Sequence, residues 1–144
     1  LTYLCSMARI LAIDYGEKRF GLAQTDPLNI FAQPLTTILS TEFEAWIKTY
    51  LQQETLSAFV VGMPKRLSGE DTHSTERVRK FIDWLKQNFP EIPVHTIDER
   101  YSSKEAQDQI IRMGKTKIQR REKGLIDTVA ATLILQTYLQ QFSS

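Results

Sequence analysis

Apolar residues fall along this chain in two kinds of pattern. Short unbroken runs closed by an acid, glycine or proline predict strands buried on both faces. Apolar positions every three or four residues predict helices with one buried side. ARILAID at 8–14 is the first unbroken run and FGLAQTD the second, with the turn YGEKR between them short enough for a hairpin. A third strand is expected at 35–39, within PLTTILS. Ser40 or Thr41 is then placed to cap a helix reaching about Gln53, with Phe43, Ile47, Tyr50 and Leu51 on one side. LSAFVVGMP reads as another buried strand stopped by Gly62 and Pro64. After the polar loop KRLSGED, a helix carries Val78, Phe81, Ile82 and Leu85. VHTID is a fifth strand, Ser102 with Glu105 has the pattern of a capping box, and a last helix spans Gly124 to Phe142.

This order predicts an α/β fold. An antiparallel meander is followed by parallel strands with right-handed crossovers, giving a mixed five-stranded sheet with helices on both faces. Residues 7–144 are expected to form a single domain. Residues 1–6 read as a cloning scar or an upstream extension, with Met7 as the natural start.

Composition narrows the function. Apolar residues make up 42% and charged residues 24%, which excludes a disordered chain. The single cysteine, Cys5, excludes an internal disulfide, and with two histidines it cannot assemble a Cys/His zinc site. No run is long enough to cross a bilayer and no secretory signal is visible, so a cytoplasmic protein without a membrane partner is expected. The net charge is +1, but Arg112–Lys123 alone carries +5 against −4 for the rest. A local basic stripe suits a phosphate-rich partner; a solvated loop and helix face is the plain alternative.

Acids stand where structural need is least. Asp14 ends the first apolar strand, Asp98 and Glu99 end the last, and Asp127 lies in the apolar helix GLIDTVAATLIL. Each has a simple explanation alone: a turn cap, a pair with Arg100, a carboxylate near a helix N-terminus. Together they are more informative, because ligands of open sheets collect at the carboxyl ends of strands. Converging carboxylates repel unless a proton or cation intervenes, and oxygen donors without Cys or His suit a hard ion, Mg²⁺ or Mn²⁺.

IDYGEKRFGLAQTD, VVGMPKRLSGEDT, IDERYSS and GLIDTVAATLILQTYL, in this order and spacing, resemble the YqgF family over nearly all of residues 8–140. These are Holliday junction resolvase-like nucleases of the ribonuclease H-like superfamily. The resemblance implies a bacterial cytoplasmic nuclease acting in 5′-end maturation of 16S ribosomal RNA, or on branched DNA. It implies Asp14, Glu99 and Asp127 as catalytic metal ligands. Two departures stand out. Gly124 occupies a place where related resolvases often carry a further metal-binding residue, and Ser102 replaces the usual Thr while keeping the hydroxyl.

Lys18 and Arg19, in the turn after Asp14, are candidates to hold a phosphate. Arg100 is a candidate for phosphate or for an internal ion pair. Lys115, Lys117, Arg120 and Arg121 are candidates to grip structured RNA or branched DNA through its backbone. Gly62 reads as a structural turn, His73 as solvated, and Trp46 and Trp84 as packing. The partner is nucleic acid, with the protein a monomer or homodimer. Two other readings are compatible with parts of the sequence. A non-catalytic binding module of transcription or ribosome assembly is disfavoured by the three retained acids. A nucleotide phosphotransferase, suggested by ILAIDYG, is disfavoured by a chain with room for one such domain only.

Overall fold

The computed structural model describes residues 8–63, 73–98 and 123–142, with the side chains of 73–74, 123–127 and 142 left aside. Three strands open the chain: β1 (Arg9–Asp14), β2 (Arg19–Thr25) and β3 (Ala32–Leu39). A single 3-10 turn, Ser40–Glu42, leads into α1 (Phe43–Gln53). Then come β4 (Leu56–Met63), α2 (His73–Asn88), β5 (Val94–Asp98) and α3 (Lys123–Phe142). The sheet order is β3-β2-β1-β4-β5. β1 pairs antiparallel with β2 and β2 with β3, while β1–β4 and β4–β5 are parallel. The mixed α/β architecture read from the pattern of runs is the observed one.

The apolar runs and the sheet positions agree for a physical reason. β1 is the central strand, and Leu11, Ala12 and Ile13 are all fully buried because both faces are covered. β3 is an edge strand and tolerates Pro34, which lacks an N–H. A register shift opposite Leu22 and Ala23 lies beside it. On one face α1 and α2 bury Phe43, Ile47, Val78 and Leu85 against Leu11, Ile13, Phe20, Phe59 and Val61. Burying each such side chain contributes ~1.5–3 kcal/mol, which far exceeds the helix-propensity differences among them. Trp46 and Trp84 pack within this layer, at ring distances of 6.3 Å and 6.1 Å from Phe43.

The other face carries α3. Its Ala131, Ile134 and Leu135 pack on Ala12, Ala23, Val60 and Ile97. The small side chains Ala12 and Ala23 let the helix lie close to the sheet. Thr132 is buried, and its hydroxyl donates to the Thr128 carbonyl at 2.8 Å.

Two local expectations differ from the structure. Neither Ser40 nor Thr41 caps α1. A 3-10 turn intervenes, and the Glu42 carboxylate accepts from the Leu39 N–H at 3.3 Å. Ser40 instead turns back to the β1–β2 connection. Gly62 lies inside β4, not in the turn after it. The helix expected from Ser102, and residues 1–6 with Cys5, lie outside the described residues.

Candidate active site

Strand alternation decides which side chains share a face. Ile10 and Ala12 pack with α3 while Leu11 and Ile13 pack with α1 and α2, so Asp14 belongs to the α3 face. It is half-buried at the end of β1. Gly21 is its register partner on β2, and Gly62 on β4 comes one step beyond the Ile13–Val61 pair. Both glycines fall on the α3 face by the same alternation. Asp14 is thus flanked on both sides by positions without a side chain, a cleared strip at the carboxyl end of the central strand.

α3 enters over this strip. Gly21 pairs across to Thr37 on β3, and the Thr37 and Thr128 hydroxyls share a hydrogen bond. The first turns of α3 are therefore tied to the row Thr37–Gly21–Asp14. The backbone of Asp127, one residue before Thr128, is carried there with it; its side chain lies outside the described ones. Asp98 ends β5 two strands from Asp14, roughly 10 Å away across the sheet. It alternates with Ile97, which packs under α3, so Asp98 belongs to the α1/α2 face and not to the face of Asp14.

Lys18 is exposed on the β1–β2 turn. Arg19 is half-buried at the start of β2, on the same face as Gly21 and Ala23. The turn is held from several sides. Ser40 donates its N–H to the Lys18 carbonyl (2.9 Å) and its hydroxyl to the Glu17 carbonyl (2.9 Å). Arg77 of α2 pairs with the Glu17 carboxylate at 3.1 Å. Gly16 packs so closely on Arg19 that an added Cβ would stand 2.3 Å from its carbonyl oxygen. Ser40 carries no signal in the sequence for this second duty, because its partner is more than twenty residues away. Glu99, Arg100, Lys115, Lys117, Arg120 and Arg121 all lie outside the described residues.

No group of three His, Cys, Asp or Glu side chains able to hold a metal forms among the described residues. The donor that is described, the Asp14 carboxylate, is a hard oxygen ligand. His95 is engaged with the Tyr138 ring at 5.4 Å. A hard divalent ion fits this donor chemistry, and a thiolate- or imidazole-seeking ion does not. At the opposite pole, Asp26 accepts from the N–H groups of Phe31 (2.7 Å), Ile30 (2.8 Å) and Leu28 (3.3 Å). The Phe31 bond is the main cause of its lowered pKa, with the other two assisting against a little desolvation.

A family profile described as RuvX, Holliday junction resolvase, matches residues 8–141. The chain belongs to the RuvX family. Two relatives, from Flavobacterium psychrophilum and Porphyromonas gingivalis, are 44% and 45% identical over 92% of this chain, and over 97% and 96% of their own lengths. Both carry the name "Putative pre-16S rRNA nuclease". The RuvX-family chain is accordingly classed with nucleases. Among solved structures, RuvC of T. thermophilus in complex with a Holliday junction substrate superposes with a TM-score of 0.54 over 94% of this chain and 96% of that one. At 15% identity that likeness identifies the ribonuclease H-like fold. No helix among the described residues is long and apolar enough to cross a membrane.

Proposed function

We propose that this RuvX-family chain is a divalent-metal-dependent nuclease of the cytoplasm that trims the 5′ end of precursor 16S ribosomal RNA. Asp14 standing in the glycine strip at the end of β1, with α3 tied down beside it, is the observation that supports this reading most directly. Asp14, Glu99 and Asp127 would hold Mg²⁺ or Mn²⁺. Asp98 lies on the other face of the sheet from Asp14, which favours Glu99 as the acid from the D-E-R block. When bound, such an ion supplies Lewis acidity toward the phosphate and acidifies the attacking water. Arg19, on the face of Asp14, and Lys18, exposed on the turn, neutralise the scissile phosphate and fix its place. Arg100, Lys115, Lys117, Arg120 and Arg121 hold the flanking backbone, which makes affinity fall steeply with salt.

Branched DNA is a second reading, favoured by the description of the family itself. One experiment separates the readings: wild type and Asp14→Asn are offered a 5′-extended ribosomal precursor and a four-way junction, with Mg²⁺ or Mn²⁺. We expect the precursor to be cut by wild type only, with binding retained in the variant. Cleavage of the junction alone replaces the substrate. Equal cleavage by Asp14→Asn in the tube refutes the assigned role of Asp14. Full function of Asp14→Asn in cells, with no cleavage by either protein in the tube, leaves a binding module of ribosome assembly.

A further inference from the structure

On the α1/α2 side of the same strand ends lies a cavity of about 480 Å³. Tyr15, Phe20, Phe81 and Trp84 line it with aromatic surface. The Tyr15 ring packs at 4.9 Å from Phe20 and 5.2 Å from Phe81, so the aromatic surface is preassembled. Arg77 and Lys80 stand one helical turn apart on α2 at the lip, and Glu44 stands on α1. We propose that this groove is a nucleotide subsite, which takes one unpaired base of the substrate strand next to the bond being cut.

Three observations carry the assignment. The first is continuity: Tyr15 directly follows Asp14 and faces the other side of the sheet. A strand passing over the β1–β2 turn meets Asp14 with one phosphate and the aromatic walls with a neighbouring base. The exposed Lys18 lies on that turn. The second is charge. Arg77 and Lys80 offer cations to the phosphate of the seated nucleotide, and Glu44 offers an acceptor to base N–H groups. Arg77 is paired with Glu17 at 3.1 Å, but both side chains are largely exposed, so the pair exchanges for a phosphate at small cost. The third is surface chemistry. Ring faces beside basic side chains are the arrangement that holds single strands through base stacking. A base that stays stacked and paired in a double helix cannot enter such a groove, so the seated nucleotide is unpaired, at least cost where the strand is already single.

The inference rests on the nuclease reading, and the test keeps the two apart. A 5′-extended ribosomal RNA fragment is made with 4-thiouridine walked along its single-stranded extension. It is crosslinked to Asp14→Asn protein by near-ultraviolet light, and the adducts are mapped by mass spectrometry. Adducts on Tyr15 or Phe81, from one or two adjacent positions only, are expected. An abasic residue at that position should weaken binding roughly 5- to 100-fold, a change that leaves the protein untouched. Lys80→Ala, at an exposed position, should weaken binding of the intact strand several-fold with an unchanged melting temperature. Adducts confined to other surfaces, together with an abasic strand that binds as well as the intact one, overturn the subsite. Wild type that cuts neither substrate while groove adducts still form refutes the nuclease reading and leaves the subsite standing.

Discussion

The replacement Gly16→Ala tests how tightly the β1–β2 turn is built. Its new methyl carbon would lie 2.3 Å from the Arg19 carbonyl oxygen, where ordinary contact begins near 3.4 Å. The obstacle is backbone, so no side chain can swing away, and the turn itself has to shift by about 1 Å to clear it. Overpacking of this kind costs about 1–3 kcal/mol. With a urea slope of ~1–3 kcal/mol/M, the unfolding midpoint should fall by on the order of 1 M. The displaced segment carries Lys18 and leads into Arg19, and a misplacement of ~1 Å in positioning groups costs about 100-fold in rate. Urea titration followed by tryptophan fluorescence reads the first effect, and single-turnover cleavage of the ribosomal precursor reads the second. Lys18→Ala, at an exposed position of the same turn, is the control and should leave the midpoint unchanged. A Gly16→Ala protein with wild-type midpoint and wild-type cleavage would show that the turn yields freely, and the reasoning would fail.

Other outcomes follow from the same geometry. Ser40→Ala removes the hydroxyl bond to Glu17 and should lower the cleavage rate more than substrate affinity, while costing about 0.5–1 kcal/mol of stability. Gly21→Ala puts a methyl group beside Asp14 and should cut cleavage at least ~10-fold with binding nearly intact; unaltered turnover would show that the strip need not be clear. Arg9 pairs with Glu54 at 3.0 Å and donates to the Thr25 carbonyl at 2.7 Å. Its replacement by Ala should cost about 1–2 kcal/mol in urea unfolding without touching activity. Asp26 has a pKa below its ordinary 3.8, so its ionised form is favoured by folding. Its contribution is therefore complete above that value and lost as pH falls through the lowered pKa. Asp26→Asn should lower the urea midpoint at neutral pH, and the gap to wild type should close in strong acid.

Much of the architecture was legible because burial leaves a mark in composition. ARILAID and LSAFVVGMP are unbroken apolar runs because β1 and β4 are covered on both faces. β3 is less obvious in the sequence because an edge strand can afford Thr36, Thr37 and Pro34. Ser40 misled for a different reason. A serine before an amphipathic run has the look of a cap, but its hydroxyl is spent on Glu17, a contact made by the hairpin's closure and invisible locally. The position of Asp14 at the strand end was readable from one run. Its two glycine neighbours were not, since they come from β2 and β4 and meet only in the sheet. The aromatic groove was hidden likewise: Phe81 and Trp84 fit a core pattern and Tyr15 reads as part of a turn, and only their arrangement leaves a cavity.

The strands β1, β4 and β5 run in one direction, so the molecule has two poles separated by the length of β1, roughly 17 Å. Asp14, Lys18 and the aromatic groove occupy one. The hairpin of Asp26, with Leu28, Ile30 and Phe31 exposed at its tip, occupies the other. A fluorophore, affinity tag or surface tether grafted onto that distal hairpin would report on or immobilise the protein without crowding the pole of Asp14, which makes it the natural handle for single-molecule work.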